Sequence, residues 1–294
     1  LGDVYKRQSL EGSSKFQLIS TLLKLLPLIF MIFLGMLNFN LDNLPELNPT
    51  DLHPISLLAT VTTLVMWSFI GIETATVPAD NVINPQETIP KILIASVVTV
   101  LIVYFLVSIA IAAIVPTSEL MNSTAPFALA ATKILGLTGG TIISIGALIS
   151  TLGSLNANTL TAGNISLAAA RDGLLPARFM SLTKTGTPIF TYILTGIFVS
   201  ILLILNYTKG IVNAFVFMAM LSTLSTLIAY AFCALAEFKF AQTDKKNQTR
   251  NNALLLSCGT FVYAFFTIWG AGIEMIIYSL VLILIGMPIY LIKT

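Results

Sequence analysis

Seven consecutive residues, Trp67, Ser68, Phe69, Ile70, Gly71, Ile72 and Glu73, set an indole, a hydroxyl, a glycine and a carboxylate near the middle of an apolar run, 55–78. A carboxylate that deep in a membrane-length segment is costly to hold, so by default it marks a solute or ion pathway. The glycine beside it lets a helical backbone break. N–H and C=O groups freed at such a break are tolerated in a bilayer only where they line a cavity or meet a ligand. The chemistry this implies is binding and proton exchange, with no covalent step. Trp67 lies midway along its run, deeper than the interfacial belt where tryptophans usually sit, and can offer an apolar or cation–π face. Glu73 has a plainer alternative, that of a carboxylate capping the N–H groups exposed by the break. Lys24 also falls inside an apolar run, about 8 Å deep by helix rise. Either it snorkels to the headgroups, or it projects inward as an ammonium that desolvation can strip of its proton.

The elements that must position these groups are membrane helices. Of 294 residues, 56% are hydrophobic and 10% charged, and the mean hydropathy is +0.92, beyond any ordinary soluble domain. The net charge of +2, from 15 basic and 13 acidic residues, suggests no nucleic-acid partner. Cys233 and Cys258 sit in apolar runs and His53 in a polar loop, so there is no disulfide framework and no metal spacing. No cofactor is expected. With no Ser/His pair either, an enzyme is disfavoured.

Runs long enough to cross about 30 Å of hydrocarbon fall at 19–37, 55–78, 92–115, 134–157, 188–207, 211–235, 253–270 and 273–292. These eight spans put both ends of the chain on one side. Lys91, then Arg171, Arg178 and Lys184, then Lys239, Lys245, Lys246 and Arg250, and finally Lys293 share that side, leaving Lys133 and Lys209 on the other. The positive-inside rule therefore predicts cytoplasmic termini, with the acidic loop 38–54 facing outward. The spans at 92 and 188, rich in Ile, Val, Leu and Phe, are expected to face lipid on much of their surface. Residues 1–13 include a stretch, Leu1 to Gln8, that is unrelated to the rest of the chain and resembles a sequencing or cloning scar. Residues 14–294 read as one membrane domain, entered part-way through a longer reading frame.

The fourth run and its continuation are rich in small and hydroxyl residues, which allow close helix packing. Asn156 and Asn158 lie within that stretch, and at least one is expected to turn toward a polar interior. Downstream, Ala168-Ala169-Ala170-Arg171-Asp172-Gly173-Leu174-Leu175-Pro176 predicts a helix end with Gly173 as its C′ residue and Pro176 beyond. A similar stop is expected at Asn84-Pro85-Gln86-Glu87-Thr88-Ile89-Pro90, where two prolines bracket a short solvated connector after the broken helix.

Together, the Trp-Ser-Phe-Ile-Gly-Ile-Glu string, the Asn-Pro-x-x-x-x-Pro segment, Ser123-Thr124-Ala125-Pro126-Phe127 and the Asp172-Gly173-Leu174-Leu175-Pro176 ending resemble the amino acid/polyamine/organocation superfamily. The likeness runs from about Ser14 onward and is greatest to the basic amino acid/polyamine antiporters of the arginine/agmatine exchanger type. It implies an all-α membrane protein of the leucine-transporter type, two inverted five-helix repeats plus two helices. The eight helices here correspond to its fifth to twelfth, the C-terminal two-thirds. The first helix of that fold, whose unwound segment binds the substrate's amino and carboxylate groups, would precede this chain.

What the resemblance implies is secondary transport of an amino acid or related amine across the cytoplasmic membrane by alternating access, as antiporter or proton-coupled symporter. A transporter-like sensor or binding subunit is the alternative. Trp67 would pack on the substrate, with Ser68, Phe69, Ile70 and Gly71 around the unwound backbone whose carbonyls meet its ammonium. Glu73 would serve gating and proton linkage. Asn158 stands where the arginine exchangers have a tryptophan that stacks on the guanidinium, which argues against arginine. Lys24 is similar to the fifth-helix lysine of proton-coupled relatives, whose ammonium replaces a sodium ion. The expected partners are an amino acid or polyamine-like substrate, protons, the lipid bilayer and, as an option, a second copy in a homodimer.

Overall fold

A computed structural model describes residues 21–46, 48, 53–76, 82–183, 186–207, 210–243 and 250–291. The segment 1–13, Pro78, and the basic residues Lys184, Lys209, Lys245, Lys246 and Lys293 lie outside them. The described residues are helical, with no strand among them. Each of the eight apolar runs carries a helix. In chain order these are α1 (Thr21–Leu37), α2 (Pro54–Trp67), α3 (Pro85–Ile114), the short α4 (Thr117–Leu120), α5 (Pro126–Arg171), α6 (Ile189–Tyr207), α7 (Ile211–Thr243), α8 (Arg250–Gly270) and α9 (Ile273–Leu291). By length and composition α3, α5, α7 and α8 can each cross a membrane, and the other four runs give shorter apolar helices.

The expected stop at Asn84 to Pro90 is overturned. Asn84 takes a left-handed φ of 50° and α3 begins immediately after it. Pro85 occupies the first turn, where a missing N–H costs nothing. Pro90 lies inside the helix, where the bond lost is the one to Gln86, still at the polar end. The prolines therefore open α3 instead of closing the preceding segment. The helix end after Ala168 matches expectation in detail. Gly173 has φ 68°, its N–H donates to the Ala170 carbonyl at 3.0 Å, and Leu174 N–H reaches Ala169 at 2.8 Å. That pair of bonds is a Schellman closure.

The chain forms two compact units, one comprising residues 1–49 and 80–162, the other 50–79 and 163–294. In the first, Met31 and Leu34 of α1 pack with Val107, Ile111 and Ile114 of α3 and Ala130, Ala131 and Ile143 of α5. Gly35 permits this crossing, since a Cβ there would run into Ala110. The loop after α1 is fastened by Asn43 Nδ2, which donates to the Ala113 carbonyl at 2.9 Å. Lys133 and Glu119 form an ion pair at 2.7 Å. Within α5 the helix is interrupted at Gly136 (φ 68°, ψ −167°), an interruption that the run 134–157 does not show.

In the second unit α7 is the hub, packing against α2, α6, α8 and α9. Gly163 lies against the Tyr192 ring, with no room for a Cβ. His53 caps α2, its Nδ1 accepting from Ile55 N–H at 3.4 Å, and Pro54 supplies the preset first turn. Much of the apolar side-chain surface is exposed: Leu255, Phe265, Ile273 and Ile204 all stand outward. In a membrane chain that is the lipid- or helix-facing surface.

Candidate functional site

The second run breaks where the sequence predicts. After Trp67 the chain tightens through three successive turns. Ser68 N–H donates to Val65 at 3.0 Å, Phe69 to Met66 at 3.0 Å and Ile70 to Trp67 at 3.3 Å. Gly71 then adopts φ 105°, a conformation that glycine takes without the clash a Cβ would cause. A 3₁₀ turn comes next, over Ile72–Thr76. The α-helical ladder is thus interrupted for the whole of Ser68 to Gly71.

Two side chains hold the break open. Glu73 Oε2 accepts the Gly71 N–H at 2.8 Å. Thr74 closes on the other side of the same residue, donating to the Gly71 carbonyl through its N–H at 3.1 Å and its hydroxyl at 2.6 Å. The capping role weighed for Glu73 is therefore real in this conformation. Tyr230 of α7 also lies near the same carboxylate. Since the Gly71 carbonyl is engaged twice, it is less available to a solute than the resemblance suggests. Among the described residues nothing donates to the neighbouring Ile70 carbonyl.

Trp67 stands at the end of α2, immediately before the break. It is 38% exposed, and Phe215 of α7 meets it edge to face, with ring centroids 5.0 Å apart and an interplanar angle of 86°. Its indole is thereby held from one side while the rest remains open. Ser68, Phe69, Ile70, Gly71 and Glu73 are all half-buried.

Trp67, Ser68, Phe69, Ile70, Gly71 and Glu73 are thus gathered in the second unit. Lys24, half-buried on α1, and Asn158, exposed on α5 together with Asn156, belong to the first. Sequence reasoning missed Tyr230 and Phe215. A signal for Tyr230 was present, since a phenol amid an apolar run needs a partner for its hydroxyl. Phe215 is indistinguishable in sequence from the other aromatics of α7. No group of His, Cys, Asp and Glu with metal-holding geometry occurs among the described residues.

Long apolar helices and an apolar run broken at a glycine, with a carboxylate beside the break, define a polytopic helical membrane protein. The chain belongs to the amino acid permease family, whose model matches residues 8–291, within the amino acid/polyamine/organocation superfamily. Among curated relatives it is 25% identical over 245 residues to the putrescine transporter PotE of Haemophilus influenzae, covering 83% of this chain and 56% of that protein. It is 24% identical over 246 residues to the Escherichia coli K12 putrescine transporter PotE, covering 83% and 56%. A candidate arginine/ornithine antiporter of Bacillus subtilis is 24% identical over 296 residues, covering 96% and 63%. The chain therefore spans 56% to 63% of the length of these relatives.

Proposed function

We propose that the protein to which this chain belongs moves an amino acid or related amine across the bacterial inner membrane by alternating access. The observation that carries this reading is the opened backbone at Ser68 to Gly71, held by Glu73 and Thr74 and walled by Trp67. It is supported by family membership and by relatives named for putrescine and for arginine/ornithine exchange. The Ile70 carbonyl, without a donor among the described residues, suits an ammonium. The Trp67 face suits the methylene or cationic part of the same solute. Glu73 fits gating and proton linkage, because its carboxylate holds the broken segment at Gly71 and lies near Tyr230 of α7.

Lys24 is the proposed coupling ammonium, which makes proton-coupled uptake a counterpart to exchange. Asn158, where the exchangers stack an indole, argues for a substrate without a guanidinium. We place both termini of the chain in the cytoplasm, on the distribution of Lys and Arg.

The test is counterflow of labelled putrescine, ornithine and arginine in liposomes carrying the full-length protein. Exchange of an amine against unlabelled solute is expected, with arginine the weakest. Binding without counterflow would mean a sensor and overturn the transport reading. Lys24→Ala should abolish accumulation driven by an imposed proton gradient and leave counterflow standing. If accumulation survives, Lys24 only snorkels.

A further inference from the structure

Where α2 crosses α8 the two helices meet in a single antiparallel register. Met66 Sδ accepts from the Tyr263 hydroxyl at 3.5 Å. The Thr63 hydroxyl donates to the Thr267 carbonyl at 2.7 Å, and the Thr60 hydroxyl to the Gly270 carbonyl at 3.1 Å. Ala59 backs directly onto Gly270, where there is no room for a Cβ. Each step up one helix matches a step down the other. Ala59, Thr63 and Thr267 have no exposed surface.

The acceptors are special. Carbonyls 267 to 270 are the last of α8, and the last four carbonyls of a helix have no partner inside it. In hydrocarbon there is no water to supply one. Local turns serve three of them: Ala271 N–H reaches Thr267 and Ile268, and Gly272 N–H reaches Trp269. The Gly270 carbonyl is completed from α2, by Thr60. Thr63 adds a donor at Thr267, sharing its one proton with its own Ala59 carbonyl at 2.9 Å. Most other threonines in these helices spend the hydroxyl on their own helix, as Thr223 does on Ala219 and Thr99 on Ala95.

α2 ends at Trp67, one turn beyond Thr63. We propose that α8 is the strut that fixes the outer half of the broken helix, and that Thr63 is a positioning residue for Trp67. A slide or rotation of α2 on α8 would uncover the Gly270 carbonyl, lose the Thr63 bond and drive Ala59 against Gly270. The indole at the end of α2 is therefore placed by contacts on α8, a helix that contributes no residue to the break itself. The kinetic part of this inference rests on the transport reading; the geometric part does not.

The experiment compares Thr63→Val, Thr63→Ser and Thr223→Val in the full-length protein, reconstituted to equal amounts. Thr63→Val should raise the KM for the transported amine about fivefold, the ratio one hydrogen bond commands, with little change in maximal rate. Thr63→Ser should restore it, and Thr223→Val, which loses only a bond within its own helix, should match the wild type. In parallel, the fluorine resonance of 5-fluorotryptophan at Trp67, assigned by its loss in Trp67→Phe, should shift in Thr63→Val and not in Thr63→Ser. An unmoved resonance, or equal effects of Thr63→Val and Thr223→Val, would overturn the proposal. If the wild type transports none of the amines, the functional reading fails and the resonance alone decides whether Thr63 positions Trp67.

Discussion

Two glycines with positive φ interrupt apolar runs among the described residues, and the chain builds the two interruptions differently. Gly71 (φ 105°) and Gly136 (φ 68°) are alike in what a side chain would meet, since beyond the adjoining backbone neither has an atom within 4 Å of a would-be Cβ. At Gly71 a carboxylate accepts from its N–H and a threonine donates to its carbonyl, with the Trp67 indole four residues before it and Tyr230 near the carboxylate. Around Gly136 the nearby hydroxyls of Thr132 and Thr141 are spent on their own helix, on Ala128 and Leu137. Three residues before it, Lys133 is paired with Glu119. A positive φ thus marks a break in the helix without marking a site. What distinguishes the break at Gly71 is that some freed backbone groups are held by dedicated side chains while the Ile70 carbonyl has no donor among the described residues.

The largest effect that would break this comparison is expected at Gly71. Gly71→Ala places a Cβ in a conformation that L residues rarely adopt, at a cost of about 1–3 kcal/mol. The segment relieves that strain by turning back toward helix, which closes the Ile70 carbonyl and moves Glu73. Counterflow should fall to background in protein that still reconstitutes. Retained exchange at wild-type rates would mean that the opened backbone is not where the solute binds.

Glu73→Gln separates the two roles of the carboxylate. The amide oxygen can still accept from the Gly71 N–H, so the break should persist and substrate affinity should change little. What is lost is the ionisable carboxyl group. Turnover should fall about tenfold and its dependence on pH between acidic and neutral conditions should flatten. Identical pH profiles for the variant and the wild type would leave Glu73 as a cap and nothing more.

Legibility runs along the same contrast. The break at Gly71 is readable from sequence because a glycine stands beside a carboxylate in an apolar run. The helix end at Gly173 is readable because Ala-rich helix, glycine and proline occur in the order that a Schellman closure needs. Gly136 escapes notice since one glycine among Leu135, Leu137, Gly139 and Gly140 looks like packing material; its φ is set by tertiary placement. The prolines at 85 and 90 mislead, because a proline is compatible with the end before it and with the start after it. The partners of the site, Tyr230 and Phe215, lie more than a hundred residues further along, where no local spacing ties them to Trp67 or Glu73.

The smallest functional effect should come from Gly136→Ala. Its backbone, with ψ −167°, lies in a region almost reserved for glycine, so the strain is again about 1–3 kcal/mol. The melting temperature of the reconstituted protein should drop by about 2–4 °C for each kcal/mol. Uptake per molecule should stay at the wild-type level, because Asn158, the residue of α5 read as bearing on the substrate, lies well beyond that joint. Loss of uptake comparable to Gly71→Ala, at unchanged protein amount, would show that Gly136 is a moving joint of the transport cycle. The distinction would then lie in where the two breaks act along the path, since both would have to open and close for the solute to pass.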